Sequence, residues 1–411
     1  MIGNKGLKTM TKNRGVPGRR MAVALAAALW LGVGPAHAAG KDDFTPTEKE
    51  QAQLEFFEQS NDWFAKNLKN PPEIIDGQHL HPKIQYMLEQ QRASWVPDFV
   101  HEWIFRTSWG RAYVRSALDR GWMLFSKVTA PMQNVEDRTI DGRGGPIHIR
   151  IYHPQTDEKA PLPILVYFHG GGWIMASVEA LDRATRLMAN EANAIVISVD
   201  YRLAPEHSYP AASDDGEDAY LWARNNAVAL GGTPDMVAVG GDSAGGHVAI
   251  NISQRQLLAG KPAPAYQLLY YPGTSLPRAD ASFEKFGKGY GLDQSFINFI
   301  IPRVFPGRDE NQIARDGLIE PLHAQSLKGL PPTILSTAGF DILRDSGRTF
   351  AERLEAEGVP VHYTNYPSLI HSFLQLTAVI DDADKAATES ARLFGTEVRR
   401  IAAQKERAGA D

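Results

Sequence analysis

From about Gln133 onward, short apolar or β-branched runs alternate with helix-length segments, and this rhythm restricts the chain more than any other feature. The runs are Ile147 to Tyr152, Ile164 to Phe168, Ala194 to Val199, Met236 to Val239, Gln267 to Tyr271, Thr333 to Ser336 and Val361 to Tyr366. Strands spaced by helices cannot close as hairpins, so the pattern predicts an α/β fold: a mostly parallel sheet flanked by helices on both faces. Ser282 to Leu330 breaks the rhythm with Gly-, Asp- and aromatic-rich sequence and one apolar helix near Asp293 to Val304, which predicts an insertion between strands. With no internal repeat and no low-complexity linker, the pattern indicates one sheet domain with additions, although length alone would suggest two domains.

Ahead of the sheet, Thr45 to about Lys127 reads as helical. Thr45-Pro46-Thr47-Glu48 combines a capping-box spacing with proline at the first helical position, and Leu54, Phe57, Phe64 and Leu68 then share roughly one face. The spacing predicts a first helix running to about Leu68 and ended by Pro71-Pro72. Further helices are expected near Pro82 to Arg92 and Pro97 to Phe125, the latter interrupted around Gly110 and Gly121. Trp63, Trp95, Trp103, Trp109 and Trp122 all fall in this segment, which suits either a helical core or an apolar cover over a pocket.

Charge is unevenly placed. Residues 1–38 carry Lys5, Lys8, Lys12, Arg14, Arg19 and Arg20 and no acid, followed by the apolar run Met21 to Val33 and then Ala36-His37-Ala38. A basic region, a short apolar core and small residues at a cleavage position describe an export signal; a span would need roughly 20 apolar residues. Arg19-Arg20 resembles a twin-arginine signal only in that pair. Cleavage after Ala38 would leave 373 residues with 37 basic against 48 acidic side chains, a net charge of −11. The expected product is an acidic, soluble, periplasmic or secreted protein with no membrane anchor. Without a basic cluster, nucleic acid is excluded as a partner. The chain also has no cysteine, which excludes disulfides, thiolate metal sites, a thiol nucleophile and a lipidated cysteine.

The chemistry-bearing residues lie at strand ends. Gly241-Asp242-Ser243-Ala244-Gly245 follows the run Met236 to Val239 and opens a helix, the context in which a serine sits on a sharp strand-to-helix turn. Gly-x-Ser-x-Gly arises by chance about 0.15 times in a chain of this composition, so its context adds most of the weight. His169-Gly170-Gly171-Gly172 follows Ile164 to Phe168, and successive glycines leave backbone N–H groups free to face a developing oxyanion. His169 is expected to scaffold that loop, and Asp242 to satisfy loop amides. Asp341 lies past Thr333 to Ser336, and His371 lies past Val361 to Tyr366. In a parallel sheet these positions share the carboxyl edge with Ser243. Asp345 is the competing acid, one helical turn further on, whereas His207 and His247 precede any strand that could deliver a base to Ser243.

The stretches HGGGW at 169–173, YRLAPEH at 201–207, GDSAGG at 241–246 and DILRD at 341–345 together resemble the hormone-sensitive-lipase-like group of α/β-hydrolases, mostly bacterial carboxylesterases. The resemblance spans about residues 130–400. It implies the α/β-hydrolase fold, with Ser243 as nucleophile, Asp341 as acid, His371 as base, and the N–H groups of Gly171, Gly172 and Ala244 as an oxyanion hole. It also implies a helical cap built from the N-terminal helices and the 282–330 insertion. The expected organisation is thus a leader at 1–38, a helical segment at 39–130 and a catalytic domain at 131–405. Ile342 stands where the family usually has proline, and Ser368 and Ser372 where it usually has glycine.

These assignments imply a serine hydrolase acting on small-molecule esters of short to medium chain, with no metal or organic cofactor required. An amidase, a lactonase or a polysaccharide deacetylase would use the same residues, and a catalytically silent binding protein could share the fold. Oligomeric state is not encoded in any of these motifs.

Overall fold

The computed structural model describes residues 44–93, 104–276 and 280–410; the leader at 1–38, Trp95 and Trp103 lie outside them. Its centre is an eight-stranded sheet: β1 (Asn134–Gly142), β2 (Gly145–His153), β3 (Leu162–Phe168), β4 (Ile195–Asp200), β5 (Gly232–Asp242), β6 (Gln267–Tyr270), β7 (Thr333–Phe340) and β8 (Val361–Ile370). The spatial order is β8-β7-β6-β5-β3-β4-β2-β1, antiparallel where β2 meets β1 and β4 and parallel elsewhere. Every residue of β3 (LPILVYF) and of β7 (TILSTAGF) is buried, as central strands covered on both faces require. Two large apolar clusters occupy the two sides of the sheet. One joins Leu165, Tyr167 and Leu268 to the N-terminal helices, and the other joins Val166, Phe168 and Val239 to the helices after β4 and β5.

β1 is a strand that periodicity misses. Among the described residues it pairs only with β2, and its sequence NVEDRTIDG has a single buried residue, Ile140. An edge strand buries little, so its pattern is mostly polar.

The N-terminal segment also differs from expectation. The expected first helix is two helices, Glu48–Phe57 and Asn61–Lys66. Ser60 causes the break: its Oγ accepts from the Trp63 N–H at 3.2 Å and caps the second helix. The capping box lies two residues later than expected. Glu50 N–H donates to Thr47 Oγ1 at 3.3 Å and Thr47 N–H to a Glu50 carboxylate oxygen at 2.7 Å, so Pro46 precedes the cap.

Helix Ser108–Phe125 runs unbroken through both Gly110 and Gly121. Gly110 is required by close approach, because a Cβ there would lie 2.0 Å from the Ile104 carbonyl oxygen. Gly110 is a packing residue inside the helix and not its breaker.

Between β6 and β7, the segment expected as an insertion folds into short helices, of which Gln294–Val304 is the longest. No helix among the described residues is long and apolar enough to cross a membrane.

Candidate active site

Four parallel strands deliver the site at one edge of the sheet. Ser243 follows the last residue of β5, Asp341 follows β7, His371 follows β8, and the glycine loop follows β3. β8 reaches its place by a bulge: Tyr366 pairs with Ala338 and Ile370 with Phe340, so four residues of β8 advance against two of β7. The strand therefore resumes beyond Pro367, past the end expected for it, and sets His371 beside Asp341.

Ser243 is forced into an uncommon backbone conformation, with φ 54° and ψ −118°, between the last residue of β5 and the first residue of helix Ala244–Leu258. Its N–H donates to Tyr270 O at 3.0 Å, while its carbonyl accepts from Gly273 N–H at 3.0 Å and His247 N–H at 3.2 Å. Such a conformation costs on the order of 1–3 kcal/mol and persists only where the surroundings over-determine it. The two motif glycines supply that fit. A Cβ on Gly245 would lie 1.9 Å from Phe168 O, and one on Gly241 would lie 2.4 Å from the Gly245 carbonyl carbon.

The serine hydroxyl lies 2.8 Å from His371 Nε2, and His371 Nδ1 lies 2.8 Å from Asp341 Oδ2. The other carboxylate oxygen of Asp341 accepts the Leu343 N–H at 2.9 Å. Asp341 is fully buried and His371 nearly so, with the Tyr271 ring 4.8 Å from the imidazole. Asp345 belongs to a separate group: it accepts from Arg344 Nε and from Ser282 N–H, and makes no hydrogen bond to His371. Ile342 is buried against Ile297. Ser372 adopts φ 62°, the left-handed conformation that explains why glycine is usual there, and Ser368 donates to Asp382.

Gly171 and Gly172 take φ values of +104° and +64°, and Gly171 O accepts from the N–H groups of Ile174 and Met175. This turn and Ala244, the first residue of helix Ala244–Leu258, flank Ser243 on the wall of one cavity. A buried carboxylate holds the glycine loop against the elbow. Asp242 accepts from Gly170 N–H (3.0 Å), Tyr167 OH (2.9 Å) and Gln375 Nε2 (3.2 Å). Burial pushes its carboxyl above the ordinary value, against the opposing pull of Tyr167 and Gln375. His169 lies flat against Tyr201, whose hydroxyl donates to the His169 carbonyl at 2.6 Å. His247 is buried with Nε2 3.0 Å from Leu318 O, and burial pushes it down to about 4, so it is neutral at pH 7.

The cavity has a volume of about 210 Å³ and is walled mainly by apolar side chains. One wall comes from the N-terminal helices, through Leu88, Leu118, Gly121, Trp122 and Phe125. Further lining comes from Leu292, Phe296, Ile297 and Ile300 of the segment after β6. Of the three described N-terminal tryptophans, Trp122 lines this space, Trp63 packs against Phe56 and Phe64, and Trp109 is exposed. Gln375 was not signalled by sequence, because it carries no motif and acts only through its place four residues beyond His371.

The arrangement has relatives. Residues 165–375 match the family described as alpha/beta hydrolase fold. The chain is 36% identical over 310 residues to the carboxylic ester hydrolase LipN of Mycobacterium tuberculosis, covering 74% of this chain and 79% of that one. It is 39% identical over 258 residues to the carboxylesterase NlhH of the same species, covering 62% and 80%. Among solved structures, an ester-hydrolase from the metagenome of Lake Arreo superimposes with a TM-score of 0.70 at 34% identity, over 77% of this chain and 99% of that one. The chain belongs to the hormone-sensitive-lipase-like carboxylesterases of the α/β-hydrolase family.

Proposed function

We propose that the protein hydrolyses short- to medium-chain carboxylic esters through an acyl-enzyme on Ser243. The observation that carries this reading is the unbroken relay Ser243–His371–Asp341, with both hydrogen-bonded distances at 2.8 Å, opening into an apolar chamber. His371 Nε2 takes the hydroxyl proton as Oγ bonds to the ester carbonyl carbon, and its Nδ1–H remains donated to Asp341. The carbonyl oxygen becomes an oxyanion and accepts from the N–H groups of Gly171, Gly172 and Ala244. Collapse breaks the bond to the alkoxide, which leaves with the proton from His371. Water, deprotonated by the same nitrogen, then cleaves the acyl-enzyme and regenerates Ser243.

The small, apolar chamber favours short to medium chains, and a net charge of −11 after leader removal disfavours anionic lipid surfaces. A p-nitrophenyl ester series is expected to peak below long-chain lengths; a long-chain optimum contradicts this. Gly121 lines the chamber wall without a side chain, so Gly121→Leu is expected to shift the optimum to a shorter acyl or alcohol group, with acetate turnover retained within about threefold. An unchanged chain-length profile would show that substrate does not reach that wall.

The basic leader and apolar run further support export to the periplasm or beyond. Expression in a bacterial host should yield a periplasmic product whose first residue is Ala39. Retention of residues 1–38 in the cytoplasm would refute export.

A further inference from the structure

We infer that Arg115, on the helix Ser108–Phe125, is a positioning residue for the oxyanion donors. Its guanidinium Nε donates to Ile174 O at 2.8 Å, and Nη2 donates to Ala204 O at 3.0 Å. Ile174 closes the turn that begins at Gly171, through its N–H to Gly171 O. Ala204 N–H in turn donates to Trp173 O at 2.9 Å. One side chain thus ties down the far end of the glycine turn and the 201–207 loop that supports it. Both carbonyls belong to buried residues, with Ile174 and Ala204 at most 2% exposed, so water is a poor substitute for the guanidinium.

The guanidinium is held in its turn. Glu206 accepts from Nη1 at 3.1 Å and from Nη2 at 2.8 Å, and Arg111 reaches the same carboxylate at 2.7 Å. Burial alone would raise Glu206, yet Arg115 and Arg111 hold its carboxyl at about 2, so the brace is charged through the working pH range. The glutamate of the YRLAPEH stretch thus has a role outside the triad.

A helix-docking role alone does not account for the geometry. The same helix is anchored independently by Ser177 Oγ donating to Asp119 at 2.8 Å and by Arg183 donating to Met123 O at 2.8 Å. Losing Arg115 therefore leaves the chamber wall in place and frees the Gly171–Ile174 turn. Oxyanion donors are aimed at a charge that exists only in the transition state, so a small loosening lowers kcat more than it changes substrate binding.

The inference rests on Gly171 and Gly172 serving as donors in the proposed reaction. Full-chain Arg115→Met is compared with wild type on p-nitrophenyl acetate, with circular dichroism to check the fold. The expected result is a fall in kcat of about 10- to 100-fold with KM held within about threefold, and partial recovery of kcat in Arg115→Lys. A folded Arg115→Met with unchanged kcat overturns the inference, and so does a rise in KM alone, which would mark a docking residue. If Arg115→Met does not fold, Arg115→Lys decides: it keeps the charge but not the fork, so kcat equal to wild type overturns the inference. Wild-type protein that turns over no ester fails the functional reading instead, and the two failures are distinguishable in the same assay.

Discussion

Ser243→Ala is expected to lower kcat for a p-nitrophenyl ester by about 10⁴- to 10⁶-fold while leaving the circular dichroism spectrum and KM nearly unchanged. The fold should survive because the elbow is held by backbone hydrogen bonds from Ser243 to Tyr270, Gly273 and His247, none of which uses the hydroxyl. Alanine is no less suited than serine to φ 54°. The residual rate would come from the oxyanion donors and the chamber, which still bind and polarise the ester. Turnover within tenfold of wild type, in material shown to be free of wild-type enzyme, would remove Ser243 as nucleophile.

Asp341→Asn should cost about 10⁴-fold in kcat, for a reason visible in the contacts of the carboxylate. Asp341 Oδ1 accepts the Leu343 N–H at 2.9 Å and Oδ2 faces His371 Nδ1 at 2.8 Å. In the asparagine variant the amide oxygen turns to the Leu343 donor, because an N–H facing an N–H is repulsive. The amide NH₂ is then left towards His371, where it donates to Nδ1. That places the imidazole proton on Nε2, the nitrogen that must accept from Ser243. Asp345→Asn serves as the control and should keep kcat within about threefold, since Asp345 is spent on Arg344 and Ser282. A large loss in Asp345→Asn with little in Asp341→Asn would exchange the two acids.

Much of this site is legible in the sequence because its candidate residues sit where local sequence and topology coincide. Ser243 and Asp341 each follow a buried strand, His371 follows an edge strand rich in β-branched and aromatic residues, and a parallel sheet brings the carboxyl ends of its strands to one edge. Glycines 241 and 245 were legible as a motif, but the reason for them, contact with Phe168 O and with each other, is tertiary. What periodicity missed follows from the same physics. β1 is an edge strand with one buried residue, so it leaves no apolar run. Gly110 marks close approach within a helix that continues past it. The chamber walls are the least legible part. Leu118, Trp122 and Phe125 have the spacing of any buried helical face, and only the packing of that helix near Ser243 puts them on the chamber wall.

The most direct test of the whole account is a rapid-quench experiment with a p-nitrophenyl ester, followed by peptide mass mapping. With acylation of an activated ester faster than deacylation, a burst of nitrophenol approaching one equivalent per chain is expected, together with an acyl mass on the peptide carrying Ser243. Asp341→Asn should slow the formation of that adduct without moving it to another residue. Continued turnover with no covalent adduct, or an adduct on any residue other than Ser243, would contradict it.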